Sequence, residues 1–203
     1  MSKKNILLGI VVLVILASIT YTFVASDNPA VYQENIEKER ERQFKYLKYN
    51  PDSPLTEEQK RELDSLSYFP IDANFKIKAR VVPVRNKRVI ELPMTDGSVE
   101  KYIRDSFAEF DLEGTTHRLL LLQAVSEPDR RNYFLAFADE TSASETYGGG
   151  RYLNLKKDGQ NSITIDFNLA YNPYCAYNPD FACPLPPAEN LLTVPVRAGE
   201  KKY

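Results

Sequence analysis

The groups best equipped for chemistry crowd into the C-terminal part of this chain, from Tyr147 onward. Tyr147-Gly148-Gly149-Gly150-Arg151 sets an arginine beside three consecutive glycines. Backbone N–H groups that no side chain obstructs can form an anion-binding concavity, and the guanidinium adds a planar fork suited to carboxylate or phosphate. The run is not a nucleotide-binding phosphate loop, because Gly-Lys-Ser/Thr and a following helix are missing. The competing reading is a tight turn entering a strand, with Arg151 paired to a structural acid such as Asp166. Farther on come Asp166, Asn168, Tyr171, Asn172, Glu189 and Asn190. Two carboxylates can serve as general acid and base, as in glycoside hydrolysis, with Arg151 as electrostatic stabiliser. Asp and Asn at strand ends also bind their own backbone and organise loops.

Cys175 and Cys183 are the two cysteines, enclosing a short loop with tyrosine and proline. Outside the cytoplasm such a pair reads as a disulfide. The alternatives are two buried thiols packed as small hydrophobes, or a reactive thiol. His117 is the single histidine, opens a strand, and reads as an edge or surface residue. Two cysteines and one histidine are too few for a conventional zinc cage, and no metal or cofactor is expected.

The motifs also carry a resemblance. Tyr68-Phe69-Pro70-Ile71-Asp72, the Tyr-Gly-Gly-Gly-Arg-Tyr run, and the block from Asp166-Phe167-Asn168 to Pro187-Ala188-Glu189-Asn190 occur in that order. From about Arg61 to its end the chain resembles the bacterial and archaeal family called domain of unknown function 1684. The resemblance implies no substrate, cofactor or catalytic residue. Six of the thirteen prolines lie between Pro173 and Pro195, so the C-terminal segment is stiff without being regular.

The chain has 203 residues, which favours one domain plus appendages. Charge is nearly balanced, 26 Lys+Arg against 28 Asp+Glu, which argues against nucleic acid as a partner. Residues 6–25 are uncharged and mostly aliphatic, behind Lys3 and Lys4. About 20 such residues span a bilayer core of roughly 30 Å. The alternative is a signal peptide cut after Ser26, with Val24 at the −3 position. The flanking charges predict residues 1–5 in the cytoplasm, an anchor over 6–25, and the remainder extracytoplasmic.

Residues 26–66 should form a helical stalk and a docking helix. Glu34 with Lys38, and Glu41 with Lys45, have the favourable acid-first order at four-residue spacing. Asn50-Pro51-Asp52-Ser53-Pro54 interrupts, and Thr56 with Gln59 has capping-box spacing before Leu63 and Leu66. From 67 to 203 the period changes to that of strands. Phe75, Ile77, Ala79 and Val81 alternate with cations, and Val89–Leu92 and Val99–Ile103 flank an Asp96-Gly97 turn. Phe107, Phe110 and Leu112 lead to Gly114, and further strands are expected over 118–125, 133–137, 151–155 and 163–167, with a last one over 191–196. Spacings of roughly 8 to 12 residues without intervening helices predict a mainly β, antiparallel sandwich or partly open barrel of about eight strands. The functional expectation is a membrane-anchored domain that binds a small polar or anionic ligand or an envelope protein. An enzyme, in particular a hydrolase, and a purely structural envelope protein stand against it.

Overall fold

The computed structural model describes Val12 and residues 28–203. The expected cytoplasmic segment and anchor therefore lie outside the described residues, Val12 apart. Among the described residues no helix is long and apolar enough to cross a membrane. The chain divides into two units, ending and starting at Glu41 and Arg42, each described by itself.

In the first unit helix α1 (Pro29–Tyr49) begins, five residues before the expected start of the charged helix. The Asn28 carboxamide accepts from the Ala30 N–H at 2.9 Å, satisfying one of the free donors of the first turn. Glu34 and Lys38 pair at 2.6 Å, as their spacing predicts.

In the second unit the end of α1 buries Leu47 against Leu55, Leu63 and Tyr177. Helix α2 (Glu57–Glu62) carries the expected capping box between Thr56 and Gln59. The apolar pair expected to dock it lies beyond its last residue: Leu63 is the C-cap, and no residue within α2 is buried.

Six strands follow: β1 (Lys76–Pro93), β2 (Val99–Leu112), β3 (Thr115–Ala124), β4 (Asn132–Phe137), β5 (Arg151–Lys156) and β6 (Ser162–Asp166). They form one antiparallel sheet in the order β5-β4-β3-β2-β1-β6. A bridge between Lys157 and Ile163 brings its two edges together at the β5–β6 hairpin, so the sheet is a nearly closed barrel rather than a sandwich.

The count of about eight strands is corrected to six, for two reasons. Bulges keep pairing continuous where composition suggested breaks, between Pro83 and Arg88 on β1 and between Arg104 and Ser106 on β2. The expected last strand over 191–196 makes only an isolated bridge from Leu191 to Ala138, and Pro195 has no N–H to offer a ladder.

Alternation sorts the side chains. Leu119 and Leu121 of β3 point into the barrel with Ala108, Phe110, Leu135, Leu153 and Ile165. Leu120 and Leu122 point outward and are buried as well, against Tyr102, Phe107 and Leu92. Two covered faces explain why β3 is apolar along its middle. Burial of the outer face of β3 and β4 continues beneath the proline-rich segment, where Ala136 and Tyr152 meet Cys183. His117 is buried rather than at the surface, with its ring 5.9 Å from that of its strand partner Phe110.

Candidate functional site

Arg151 opens β5 and lies on its inward face, 1 % exposed. Its Nη2 donates to Asp139 Oδ2 at 2.9 Å and to the Val196 carbonyl at 2.8 Å. Nη1 donates to the carbonyls of Ala198 and, at 3.3 Å, Glu200. Asp139 in turn accepts from the Thr141 N–H, the Thr141 hydroxyl and the Val196 N–H. Burial lowers the affinity of Arg151 for its proton and Asp139 opposes this. An arginine stays protonated all the same. The acid that meets Arg151 is Asp139, twelve residues upstream, where the sequence suggested Asp166.

The glycine run positions this arginine. Gly150 has φ +85°, and a Cβ there would sit 2.6 Å from both the Phe137 carbonyl and Pro186 Cγ. A left-handed backbone packed this closely admits glycine alone. Gly150 N–H closes a turn onto the Tyr147 carbonyl, leaving Gly148 exposed and Gly149 half-buried.

The remaining motif residues hold irregular chain to the barrel. Asp166 accepts from the Asn168 N–H at 3.1 Å, capping the turn Phe167–Leu169. Asn168 also bonds both backbone groups of Asp72. Asn190 takes the place of a missing strand: it accepts from Leu120 N–H at 2.6 Å and donates to the carbonyls of Leu120 and Ala136. Glu189 is exposed and faces Arg104 at 3.3 Å. Arg151, Asp166 and Glu189 thus each bond a different neighbour: Asp139, the Asn168 N–H and Arg104.

Glu200, outside the expected set, and Asn172, within it, complete the network. Glu200 is buried and accepts from Tyr177 Oη, from Gln43 Nε2 at 2.8 Å and from Asn172 N–H at 2.9 Å. Burial pushes its carboxyl up from the usual range, against those donors. The signal for Glu200 in the sequence was its place directly after Gly199.

The two cysteines are free thiols, correcting the expected disulfide. Cys183 is buried, Cys175 is half-buried, and the Cys175 N–H donates to Cys183 Sγ at 3.1 Å. A cross-link needs a χ geometry that brings sulfur onto sulfur, and here the Cys183 sulfur is engaged by backbone instead.

A cavity of about 480 Å³ opens on the outer face of β2–β5, lined by Tyr102, Ala124, Glu127, Asn132, Phe134, Asn154 and Lys156, with Tyr133 and Leu155. Tyr102 stacks on Phe134 (ring centres 5.4 Å, planes 20° apart), and Tyr152 meets the same ring edge-on at 4.8 Å. Asn154 Nδ2 donates to Tyr171 Oη at 2.8 Å, so Tyr171, one of the expected residues, touches the lining. On the rim Lys156 pairs with Asp129 at 3.5 Å, and Glu127 accepts from the Asp129 N–H. No motif marks this cavity. It arises from pairings across strands, Phe134 with Asn154 and Asn132 with Lys156. Among the described residues no group of His, Cys, Asp and Glu could hold a metal ion.

Fold and site together define a nearly closed antiparallel barrel strapped by its own C-terminal chain, with an aromatic-floored cavity outside. The family described as Protein of unknown function (DUF1684) matches residues 61–201, and the chain belongs to it. A similar solved structure is the solution NMR structure of an uncharacterized protein from Haloarcula marismortui. It is 34% identical, with a TM-score of 0.66, covering 84% of this chain and 94% of that one. No curated protein matches the chain.

Proposed function

We propose that the protein is a membrane-anchored binding module, its barrel outside the cytoplasmic membrane, that takes a small polar ligand with one flat apolar face. The observation that carries the binding reading is the cavity over Phe134. Its volume, about 480 Å³, lies in the range of small-molecule sites. An aromatic floor with two carboxamides, Asn132 and Asn154, suits a sugar ring or a nucleoside, where stacking supplies affinity and amides supply orientation. Lys156 and Glu127 give the rim both signs of charge, so a strongly anionic ligand is not favoured. The hydrolase reading with Asp166, Glu189 and Arg151 draws no support from their separate partners. The anchor rests on the length and flanking charges of residues 6–25.

Titration of the labelled barrel with monosaccharides, disaccharides and nucleosides tests the site by amide NMR. The expected shifts cluster on Asn132, Phe134 and Asn154, and disappear in Asn154→Ala with the fold intact. Shifts located elsewhere, or none across all three classes, overturn the reading. Fractionation of cells expressing the full chain tests the anchor separately: recovery in the soluble fraction overturns it.

A further inference from the structure

We propose that Cys175 and Cys183 form a thiol–disulfide exchange site, with Cys175 as the attacking sulfur and Cys183 as the resolving one. The pair sits in the proline-rich segment over the outer face of β5, and its two members are unequal. Cys175 is half-buried, whereas Cys183 is 5% exposed and packed against Ala136 and Tyr152. Tyr147 Oη lies 3.7 Å from Cys175 Sγ and donates to it. The Cys175 N–H reaches Cys183 Sγ at 3.1 Å, so the second sulfur lies beside the backbone of the first cysteine. Cys183 is also held from the other side, its N–H donating to Thr95 Oγ1 at 3.1 Å and its carbonyl accepting from Thr95 N–H at 3.0 Å. An attacking thiol needs access and donors that favour its thiolate, and a resolving thiol needs proximity and a fixed position.

The electrostatics agree with the geometry. Cys175 is pushed down to about 6, first by the hydrogen bond from the Cys183 thiol, with burial opposing and the Tyr147 phenol assisting. Cys183 is pushed up because it serves as that donor and is buried.

The co-substrate class is a low-molecular-weight disulfide, for which glutathione disulfide is the probe. Cys175 thiolate attacks one of its sulfurs, the S–S bond breaks, and one glutathione thiolate leaves and takes a proton from water. Cys183 then releases its proton to water, and its thiolate displaces the second glutathione from Cys175. Two protein thiols are oxidised by two electrons to one disulfide, while the small disulfide is reduced to two thiols.

Mass spectrometry of the full chain in excess glutathione disulfide tests this. The wild-type protein is expected to lose two hydrogens and retain no glutathione. Cys183→Ser should retain one glutathione on Cys175, and Cys175→Ser none. Equal labelling of the two variants, or wild-type protein that keeps glutathione or stays fully reduced, overturns the assignment. A brief iodoacetamide pulse on the unmutated protein guards against misfolded variants: Cys175 should alkylate at least about tenfold faster than Cys183. Equal or reversed rates overturn the order of attack. Tyr147→Phe should move the pH midpoint of Cys175 alkylation upward, and an unmoved midpoint removes Tyr147 from the site.

Discussion

The two faces of β5 make opposite uses of polar residues. Inward, Arg151 is sealed and bonded to Asp139 and to three carbonyls of the C-terminal chain. Outward, Asn154 and Lys156 are exposed at the edge of a cavity whose floor is an aromatic ring. A polar group taken from water must find its partners in protein. Both terminal nitrogens of Arg151 do so and only Nε lacks one, so the options of this side chain are largely spent on the fold. A polar group beside a half-open aromatic floor keeps capacity for a ligand. Residue types that look reactive in a motif can therefore be the least available.

The sharpest way to break this contrast is to remove Asp139. Asp139→Ala leaves Arg151 charged, buried and without its carboxylate, and should cost about 3–5 kcal/mol in urea unfolding. A loss below about 1 kcal/mol would mean that water reaches the guanidinium and that the inner face is not sealed. Arg151→Lys keeps the charge but loses the fork, and Asn190→Ala leaves groups of Leu120 and Ala136 unpaired. Each should cost about 1–3 kcal/mol, independent of any added ligand.

Glu200 sharpens the contrast through pH. Its folded-state pKa is raised above the ordinary value of 4.5, so between these values the native state holds more protons than the unfolded chain. Stability should then fall as pH rises through that window, and Glu200→Gln should flatten the slope. Unfolding midpoints measured across the window check it, and a slope unchanged in the variant would exonerate Glu200. The smallest effect belongs to the outer face. Lys156→Ala should change stability by no more than about 0.5 kcal/mol while altering the cavity rim, a difference that calorimetry of unfolding can resolve.

Local rules made part of this molecule readable. The capping box at Thr56, the Glu34–Lys38 pair and the Asp96-Gly97 turn depend on residues a few positions apart, and all three are present. The β class followed from alternation, and barrel closure was one of two architectures that alternation allows. What stayed hidden depends on contacts across the sheet. Nothing near Arg151 in sequence says that its partner is Asp139 at the start of the preceding loop. Bulges at Val84–Lys87 and Asp105 extend single strands through segments whose composition suggests a break. The cavity is assembled from residues that are neighbours only by register, so no motif could announce it.

The C-terminal strap has a consequence for the order in which the protein can be made. Arg151 grips the carbonyls of 196, 198 and 200, Ser67 accepts from the Lys201 N–H, and β6 completes the sheet beside β1. During synthesis the strands β1 to β4 leave the ribosome with one sheet edge bare and an arginine site not yet filled. The native state becomes reachable only after residues 196–201 have left the ribosome, so the barrel can be completed only once all six strands are already made.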